Sequence, residues 1–420
     1  MQLPPLSEHR LGNGLRVVLV PHGFTPLVAI AVLYQVGSQE ESPECAGLAH
    51  LVEHLAFGSS AYLEAEEFDR YCSDAGGTNN AYTTYSYTLY HMVLPAHQLE
   101  LGLWLEASRM RALPIPEEEF RLQQRVIIEE IKETVLNQPY GRWRELQAQQ
   151  AFRPECPYHW EVYGSVETVA ALSVEQAREF VRSYYRPDNA CVVLCGNFAS
   201  EQALELVEAT LGQIPAPATP IPRRSFSPEC RLGNRSVSFP DAVHLPAVFL
   251  SFHCGGYAAE EFPALELLAE VLGEGRSSRL YRALILESNR ASSVGAFLDS
   301  RQWSSLLTVY AIAATPQTSS EMLQEALWQE LQQLCKEGVA PEELLRCQRR
   351  LQTATAHRLQ HPAAIAHEVA FSTVFWDNPE RGLRLVEEYR QISAEQLHQL
   401  AQSVLLPENS VCTAIVPADA

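Results

Sequence analysis

Two histidines and a glutamate stand close together in the sequence His50-Leu51-Val52-Glu53-His54. Histidines four residues apart lie one above the other on a helix, so both imidazoles can bind one cation. Glu53 lies near the same face, where a carboxylate can accept a proton from a metal-activated water. This HxxEH order is the inverse of the commoner zinc-protease motif. The alternative is an amphipathic helix that carries two histidines by chance.

A catalytic zinc normally has three protein ligands and a water, so a third ligand must come from elsewhere in the chain. The helix predicted over residues 119–136 offers Glu129, Glu130 and Glu133. Glu129 and Glu130 point about 100° apart on a helix, so only one of them can face the metal directly. Glu130 flanks the apolar stripe of this helix and is the predicted ligand. The alternative is a solvated helix carboxylate.

The two halves of the chain resemble each other. Residues 116–126 and 341–351 share six identical positions, and each segment begins a helix with proline and glutamates. A predicted strand followed by a helix also occurs in both halves, at 28–34 with 46–57 and at 247–253 with 262–272. Two correspondences in the same order indicate a duplication.

The second half lacks the residues that could bind a metal. When Glu53 is aligned with Glu270, leucine (Leu267) and valine (Val271) take the places of the two histidines. Thr355 takes the place of Glu130 when the two proline-initiated helices are aligned. Because the repeated helix accepts hydrophobic residues there, the fold itself does not require the histidines.

A proline-rich segment divides the sequence. Residues 214–228 carry no hydrophobic periodicity, and proline fixes φ and removes backbone donors, so this segment is predicted to be an extended linker. It would separate a metal-bearing domain, residues 1–213, from a homologous domain, residues 229–420. Mixed strands and helices in each half predict an α+β fold class, with a mostly antiparallel sheet covered by helices in each domain.

The composition of the chain limits the classes of protein to which it can belong. The 420 residues are 46% hydrophobic and 20% charged, as in globular proteins, and the net charge of −20 disfavours nucleic acid. The apolar stretch at 27–34 is far shorter than a membrane span. Residues 1–20 do not have the pattern of a signal peptide, and the ten cysteines are scattered without a CxxC pair. These features predict a cytoplasmic protein with reduced thiols and no membrane span.

The chain resembles the pitrilysin and mitochondrial processing peptidase family of inverzincin zinc metallopeptidases, as a short two-domain member of bacterial type. The resemblance extends along nearly the whole sequence, and HxxEH with its later glutamate is its specific part. The other segments that carry it are LGNGLRV (11–17), VGS (36–38), GLAHLVEH (47–54), GGTNNAYT (76–83), VIIEE (126–130), YYRP (184–187) and GRSSRLY (275–281).

The resemblance implies one Zn²⁺ per chain, with His50, His54 and Glu130 as ligands and Glu53 as the catalytic base. Glu130 follows His54 by 76 residues, a separation similar to that of the family. Asn80 and Ala81, on a strand predicted over 79–90, would lie on a sheet edge that binds the substrate peptide by backbone hydrogen bonds. The alternative for them is an ordinary strand without contact to substrate.

Three positions depart from the family pattern. Gln123 stands where a supporting glutamate is common, seven residues before the third ligand. Ile285 and Ser292 replace an arginine and a tyrosine that hold the substrate in the second domain. The resemblance therefore implies a dimer with a homologous, metal-free subunit that supplies this pair. The alternative is a homodimer in which Arg290 or Tyr281 takes over.

The predicted function is zinc-dependent endopeptidase activity on unfolded peptides. A net charge of −20 favours basic peptides, because acidic side chains around the substrate would attract cations. One alternative is a non-catalytic assembly subunit, as some family members are, although a scaffold has no use for the complete motif. Another is a different hydrolase that uses the same metal.

Overall fold

The computed structural model describes residues 5–418. Residues 1–4 and 419–420, at the ends of the two predicted domains, lie outside this range. The strands are β1 (Ser7–Arg10), β2 (Arg16–Pro21), β3 (Leu27–Tyr34), β4 (Thr78–Thr83), β5 (Thr88–Pro95), β6 (Ala190–Gly196), β7 (Arg235–Asp241), β8 (Ala247–Gly255), β9 (Ala291–Asp299), β10 (Ser304–Ala313) and β11 (Ser410–Pro417).

The helices of the first half are α1 (Leu48–Leu55), α2 (Glu67–Asp74), α3 (Leu99–Arg111), α4 (Glu117–Ile131), α5 (Trp143–Ala151), α6 (Val166–Ala171), α7 (Val174–Tyr184) and α8 (Ser200–Ala209). Those of the second half are α9 (Phe262–Gly273), α10 (Ser320–Glu337), α11 (Pro341–Arg358), α12 (Pro362–Trp376), α13 (Arg381–Gln391) and α14 (Ala394–Val404). The structure also has two π-helical turns. Lys132–Leu136 continues the helical path after α4, and Tyr281–Glu287 precedes β9. No helix within residues 5–418 combines the length and the apolar character needed to span a bilayer.

Two sheets with the same topology confirm the predicted α+β fold and the duplication. In the described residues, one sheet has the strand order β1-β2-β6-β3-β5-β4 and the other β7-β11-β8-β10-β9. When β1 is left out, the order β2-β6-β3-β5-β4 corresponds strand for strand to β7-β11-β8-β10-β9. The parallel pair β2–β6 corresponds to β7–β11, and the remaining neighbours are antiparallel in both sheets.

The compact units are not consecutive in sequence. One consists of residues 5–131, 162–225 and 355–384, and the other of 132–161, 226–354 and 385–418. This differs from the predicted boundaries, although the change of unit at Ser225 falls inside the predicted linker. Two segments, residues 132–161 and 355–384, belong to the unit that is formed mainly by the other half of the sequence, and we call them the exchanged segments. Each directly follows the duplicated helix, because α4 precedes the first and most of α11 precedes the second.

Buried apolar side chains explain why each unit contains a segment from the other half of the sequence. In the first unit, Ile365 and Val369 of α12 pack in one cluster with Val18, Ala31 and Leu89 of the sheet. In the second unit, α5 covers its sheet in the same way. Leu146 is in a cluster with buried sheet residues, and the indole of Trp143 stacks on Phe249 at 4.3 Å. Each sheet therefore needs a helix from the other half of the sequence to cover one face.

Hydrogen bonds show that the two long helices, α4 and α11, correspond to each other. Their register is shifted by one residue relative to the sequence alignment. Gln124 of α4 donates to Val169 O and Leu172 O, before α7. Gln348 of α11 donates to Tyr389 O and to Ile392 O, before α14. The structural counterpart of Glu130 is therefore Ala354 and not Thr355, and neither residue can bind a metal as a carboxylate does.

Candidate metal centre

The short helix α1 is fixed at its first turn by a buried carboxylate. Glu41 accepts hydrogen bonds from the backbone N–H groups of Gly47 at 3.1 Å and Ala49 at 2.6 Å. Acidic groups are favoured at a helix N-terminus because of its unpaired donors and its dipole. Gly47 has φ +95°, and a Cβ there would lie 2.8 Å from Tyr163 O, so glycine is required.

The structure brings His50, His54 and Glu130 together. Their candidate ligand atoms all lie within 4.8 Å of one another, and His54 Nε2 is 3.6 Å from Glu130 Oε2. The two imidazole rings are 4.8 Å apart between centroids, at 80°. Zinc–ligand bonds of 2.0–2.2 Å in a tetrahedral site place ligand atoms about 3.4 Å apart, so little movement is needed to hold the ion.

The environment of His50 fits a metal ligand. Its Nδ1 is buried without a hydrogen-bond partner in the described residues. Burial, and secondly the neighbouring His54, lower the pKa of His50 to about 4. The ring is therefore neutral at pH 7, which is the form that binds zinc. The three residues thus fit the zinc ion that their spacing predicts.

The other candidate carboxylates of the same helical path lie apart from this cluster. Glu129 and Glu133 are exposed, whereas Glu130 is half-buried. Within residues 5–418, His50, His54 and Glu130 form the only group of three or more His, Cys, Asp or Glu residues close enough to hold a metal. The geometry therefore favours Glu130 as the third ligand.

Glu53 lies on α1, and its side chain contacts the end of the edge strand β4. It is 8% exposed, and the hydroxyl of Thr83 donates a hydrogen bond of 2.5 Å to its Oε2. Burial, together with the smaller effect of the Glu130 charge, raises the pKa of Glu53 to about 7 against the opposing effect of hydrogen bonds from Thr83. Sequence reasoning missed Thr83, although the alternation of a strand places it on the same face as Ala81.

The predicted strand over 79–90 is wrong as a single element, because β4 and β5 form a hairpin. The turn is closed by Thr84, whose hydroxyl accepts from Ser86 N and Tyr87 N and donates to Tyr87 O. Asn80 and Ala81 lie on β4, which pairs only with β5 and forms the edge of its sheet. The backbone N–H of Ala81 donates to the side-chain oxygen Oδ1 of Asn80 at 2.8 Å.

A neighbouring glutamate makes a contact between α4 and the chain beyond α1. Gln123 is half-buried on α4. One turn earlier on the same helix, the Glu119 carboxylate accepts from the backbone N–H of Ser59 at 2.9 Å and also from its hydroxyl. This contact of Glu119 fixes α1, the helix that carries His50 and His54, relative to α4. The sequence pattern did not reveal it.

Hydrophobic residues occupy the two histidine positions at the equivalent place in the second unit. Leu267 and Val271 are completely buried, and Glu270 accepts from Arg350 at 2.9 Å. Ile285 lies in the π-helical turn Tyr281–Glu287, and the Ser292 hydroxyl donates to Ala313 O at 2.9 Å. These side chains stabilise the fold of the unit.

Two family models match the chain. The model described as "Insulinase (Peptidase family M16)" matches residues 16–154, and the one described as "Peptidase M16 inactive domain" matches residues 171–351. The first match contains all four residues of the candidate site. The second includes the α9 segment, where hydrophobic residues replace the two histidines.

Known proteins with similar sequences are named zinc proteases. The zinc protease PqqE of Helicobacter pylori is 30% identical over 348 residues, which cover 81% of this chain and 77% of that protein. The uncharacterized zinc protease YmxG of Bacillus subtilis is 27% identical over 341 residues, 81% of each chain. A crystal structure of a protease from Helicobacter pylori superposes with a TM-score of 0.93 and 26% identity, covering 99% of this chain and 100% of that one.

Proposed function

The chain belongs to peptidase family M16, and from this premise we propose that it is a zinc-dependent metalloendopeptidase with Glu53 as its general base. The observation that carries the proposal is the convergence of three ligand atoms within 4.8 Å, beside a buried carboxylate that faces the same helix surface. His50, His54 and Glu130 would hold one Zn²⁺ per chain.

The residues of this site have separate roles. When bound by His50, His54 and Glu130, zinc would act as a Lewis acid that can polarise the scissile carbonyl and lower the pKa of a water to about 7. Glu53 accepts the proton of the attacking water on a carboxylate oxygen and delivers it to the leaving amine. The hydroxyl of Thr83 holds the other oxygen, Oε2, and thereby orients the carboxylate.

The substrate would bind as an added strand along β4. An extended peptide can pair with the open edge at Asn80 and Ala81 through backbone hydrogen bonds, which do not depend on the side chains of the peptide. Thr83 lies on this strand and also contacts Glu53, so a peptide bound at the edge runs beside the base. This arrangement supports unfolded peptides as substrates, and the net charge of −20 supports a preference for basic ones.

The proposal is tested by measuring the zinc content of the purified protein and its cleavage of a peptide library that contains basic and acidic peptides of equal length. We expect one zinc per chain, cleavage that a chelator abolishes and zinc restores, and faster cleavage of basic peptides at low salt. Glu53→Gln should retain zinc and lose turnover. Zinc-free protein that cleaves no peptide would instead support the assembly subunit, and equal rates on both peptide classes would remove the basic preference.

We propose the cytoplasm as the compartment. All ten cysteines are free thiols, and seven of them are buried, which is typical of proteins that fold under reducing conditions. The periplasmic protease PqqL of Escherichia coli shares this fold, so the compartment needs its own test. Cell fractionation with antibody detection would distinguish the two, and a periplasmic signal would overturn the proposal.

A further inference from the structure

A cavity of about 670 Å³ in the first unit is lined by three separate segments, residues 109–114, 178–187 and 214–219. They belong to the end of α3 with the following loop, to α7 with the following turn, and to the start of the proline-rich segment. The volume lies within the range of about 300–1,000 Å³ that is typical of sites for small organic molecules. This cavity is distinct from the candidate metal centre.

The charge of the cavity wall is opposite to that of the protein. Five of its sixteen lining residues are arginines, and none is Asp or Glu, whereas the whole chain has 31 basic and 51 acidic residues. The five arginines are Arg109, Arg111, Arg178, Arg182 and Arg186. Four of these arginines are paired with carboxylates outside the lining, but the guanidinium groups still give an otherwise acidic chain a concave surface with donors for an anion.

Three of the five arginines can act on a ligand. Arg111 has no carboxylate partner among the described residues, and its guanidinium lies 5.8 Å from the Tyr62 ring. Arg178 and Arg182 pair with Glu175 and Glu179, whose side chains are 69% and 66% exposed, and Arg178 also donates to Ile115 O at 2.9 Å. Such exposed pairs contribute little to stability, so an anion can compete for the guanidinium groups.

The other two arginines build the wall. Arg186 is 3% exposed, forms two hydrogen bonds with Asp188 and donates to Pro217 O at 2.6 Å, which fixes the proline-rich segment as one side of the cavity. Arg109 is buried and paired with Glu106. Apolar side chains fill much of the remaining surface, among them Leu113, Val181 and Ile214.

We propose that this cavity is a binding site for a small organic anion with an apolar body, separate from the peptide-cleaving centre. The arginines would bind a carboxylate, sulfonate or phosphate group through charge-assisted hydrogen bonds, which are about twice as strong as neutral ones. The apolar side chains would cover the body of the molecule. An inorganic anion would contact only the arginines and not the apolar side chains.

The test uses two dyes with the same aromatic framework on the full-length protein with its metal. 8-Anilinonaphthalene-1-sulfonate carries a sulfonate, and N-phenyl-1-naphthylamine is its uncharged counterpart. We expect one saturable sulfonate site per chain, with an affinity that falls as the salt concentration rises from about 0.05 M to about 0.5 M. The neutral dye should bind at least about tenfold more weakly.

Charge-reversal variants locate the site. The double variant Arg111→Glu/Arg182→Glu should weaken sulfonate binding by about tenfold or more and leave weak binding of the neutral dye unchanged. The matched control is the double variant Arg282→Glu/Arg384→Glu, because it changes the net charge equally and both arginines are exposed and paired with a glutamate, Glu287 and Glu380. Equal loss in both variants would mean that the dye responds only to net charge, and the proposal would be wrong.

A second variant tests the cavity by volume. Val181→Trp inserts a large side chain from α7 and should abolish sulfonate binding, with circular dichroism to verify that the fold is retained. Unchanged binding in this folded variant would overturn the proposal. Displacement of the dye by inorganic phosphate at equal concentration would also contradict it, because the apolar body would then contribute nothing.

Discussion

The hydroxyl of Thr83, at the end of an edge strand, donates a 2.5 Å hydrogen bond to Oε2 of Glu53, in the last turn of α1. The same hydroxyl is 3.2 Å from that of Thr88, which donates to Val36 O. The proposed general base is therefore positioned by the strand that we propose for substrate binding. This connection between the two parts of the site leads to the first prediction.

Replacing Thr83 with valine should lower kcat while zinc remains bound. The variant keeps a similar shape but loses a hydrogen bond to a charged group, worth about 1.5–3 kcal/mol, so kcat should fall about 10- to 100-fold. Thr83→Ser keeps the hydroxyl and should restore most of the activity. Steady-state kinetics and zinc content measured on both variants provide the check, and a valine variant with normal kcat would show that Thr83 does not position the base.

Replacing Glu130 with glutamine should weaken zinc binding, and the same change at Glu129 should not. Loss of an outer hydrogen-bond partner already costs 10- to 100-fold in metal affinity, so loss of a direct ligand should cost about 100-fold or more. Glu129 is the matched control because it is adjacent but exposed. Competition with a chromophoric chelator measures both affinities. The opposite result would place the third ligand one residue earlier.

The sequence predicted which residues could lie close together, and the structure brings these together, but it predicted less of what surrounds them. Helical spacing is a local property, so the positions of His50, Glu53 and His54 on one helix follow directly from the residues. The contact from Thr83 depends on how β4 lies against α1, and no local pattern encodes that. The exchanged segments, residues 132–161 and 355–384, also escaped prediction, because an apolar helix face does not indicate which sheet it will cover.

Replacing His50 with leucine should stabilise the metal-free protein. The equivalent position holds Leu267, which is fully buried, whereas His50 has a buried nitrogen without a hydrogen-bond partner in the described residues. Removing such an unsatisfied group should raise the free energy of unfolding by about 1–3 kcal/mol. Thermal unfolding in the presence of a chelator measures the effect, and the exposed His97→Leu is the control. A lower midpoint for His50→Leu would show that the histidine makes stabilising contacts without metal.

Acid should weaken the packing of α12 on its sheet through His367. The rings of His367 and His91, on β5, are 4.4 Å apart between centroids, and Tyr82 of β4 and Glu368 of α12 lie nearby. Burial, and secondly His91, lower the pKa of His367 from 6.5 to about 4. The unfolded chain therefore binds the proton more tightly, and stability is lost as pH falls from about 6.5 towards 4.

The expected loss from this histidine is about 2 kcal/mol between pH 7 and pH 5. Hydrogen exchange of the α12 amides, corrected for the intrinsic pH effect, measures it at both values. His367→Gln cannot become charged and should remove this part of the pH dependence. If the variant and the parent protein lose equal protection between pH 7 and pH 5, His367 does not titrate as its burial indicates.

The purified single chain should cleave peptides weakly, and a homologous, metal-free partner should restore full activity. This last prediction rests on Ile285 and Ser292, which cannot hold a peptide carbonyl as arginine and tyrosine do. The structure adds that the Ser292 hydroxyl already donates to Ala313 O. Positioning of the substrate contributes strongly to rate, so its loss should cost orders of magnitude.

The competing arrangement is a homodimer in which Tyr281 or Arg290 holds the substrate. The Tyr281 hydroxyl accepts from Arg276 Nε at 3.2 Å, and the backbone N–H of Arg290 donates to Leu284 O. Neither contact uses the Arg290 guanidinium, so this side chain is the better substitute. Mass determination together with kinetics distinguishes the two arrangements. Full activity from a preparation that contains only this chain, lost on Arg290→Ala but kept on Arg282→Ala, would establish the homodimer and overturn the prediction.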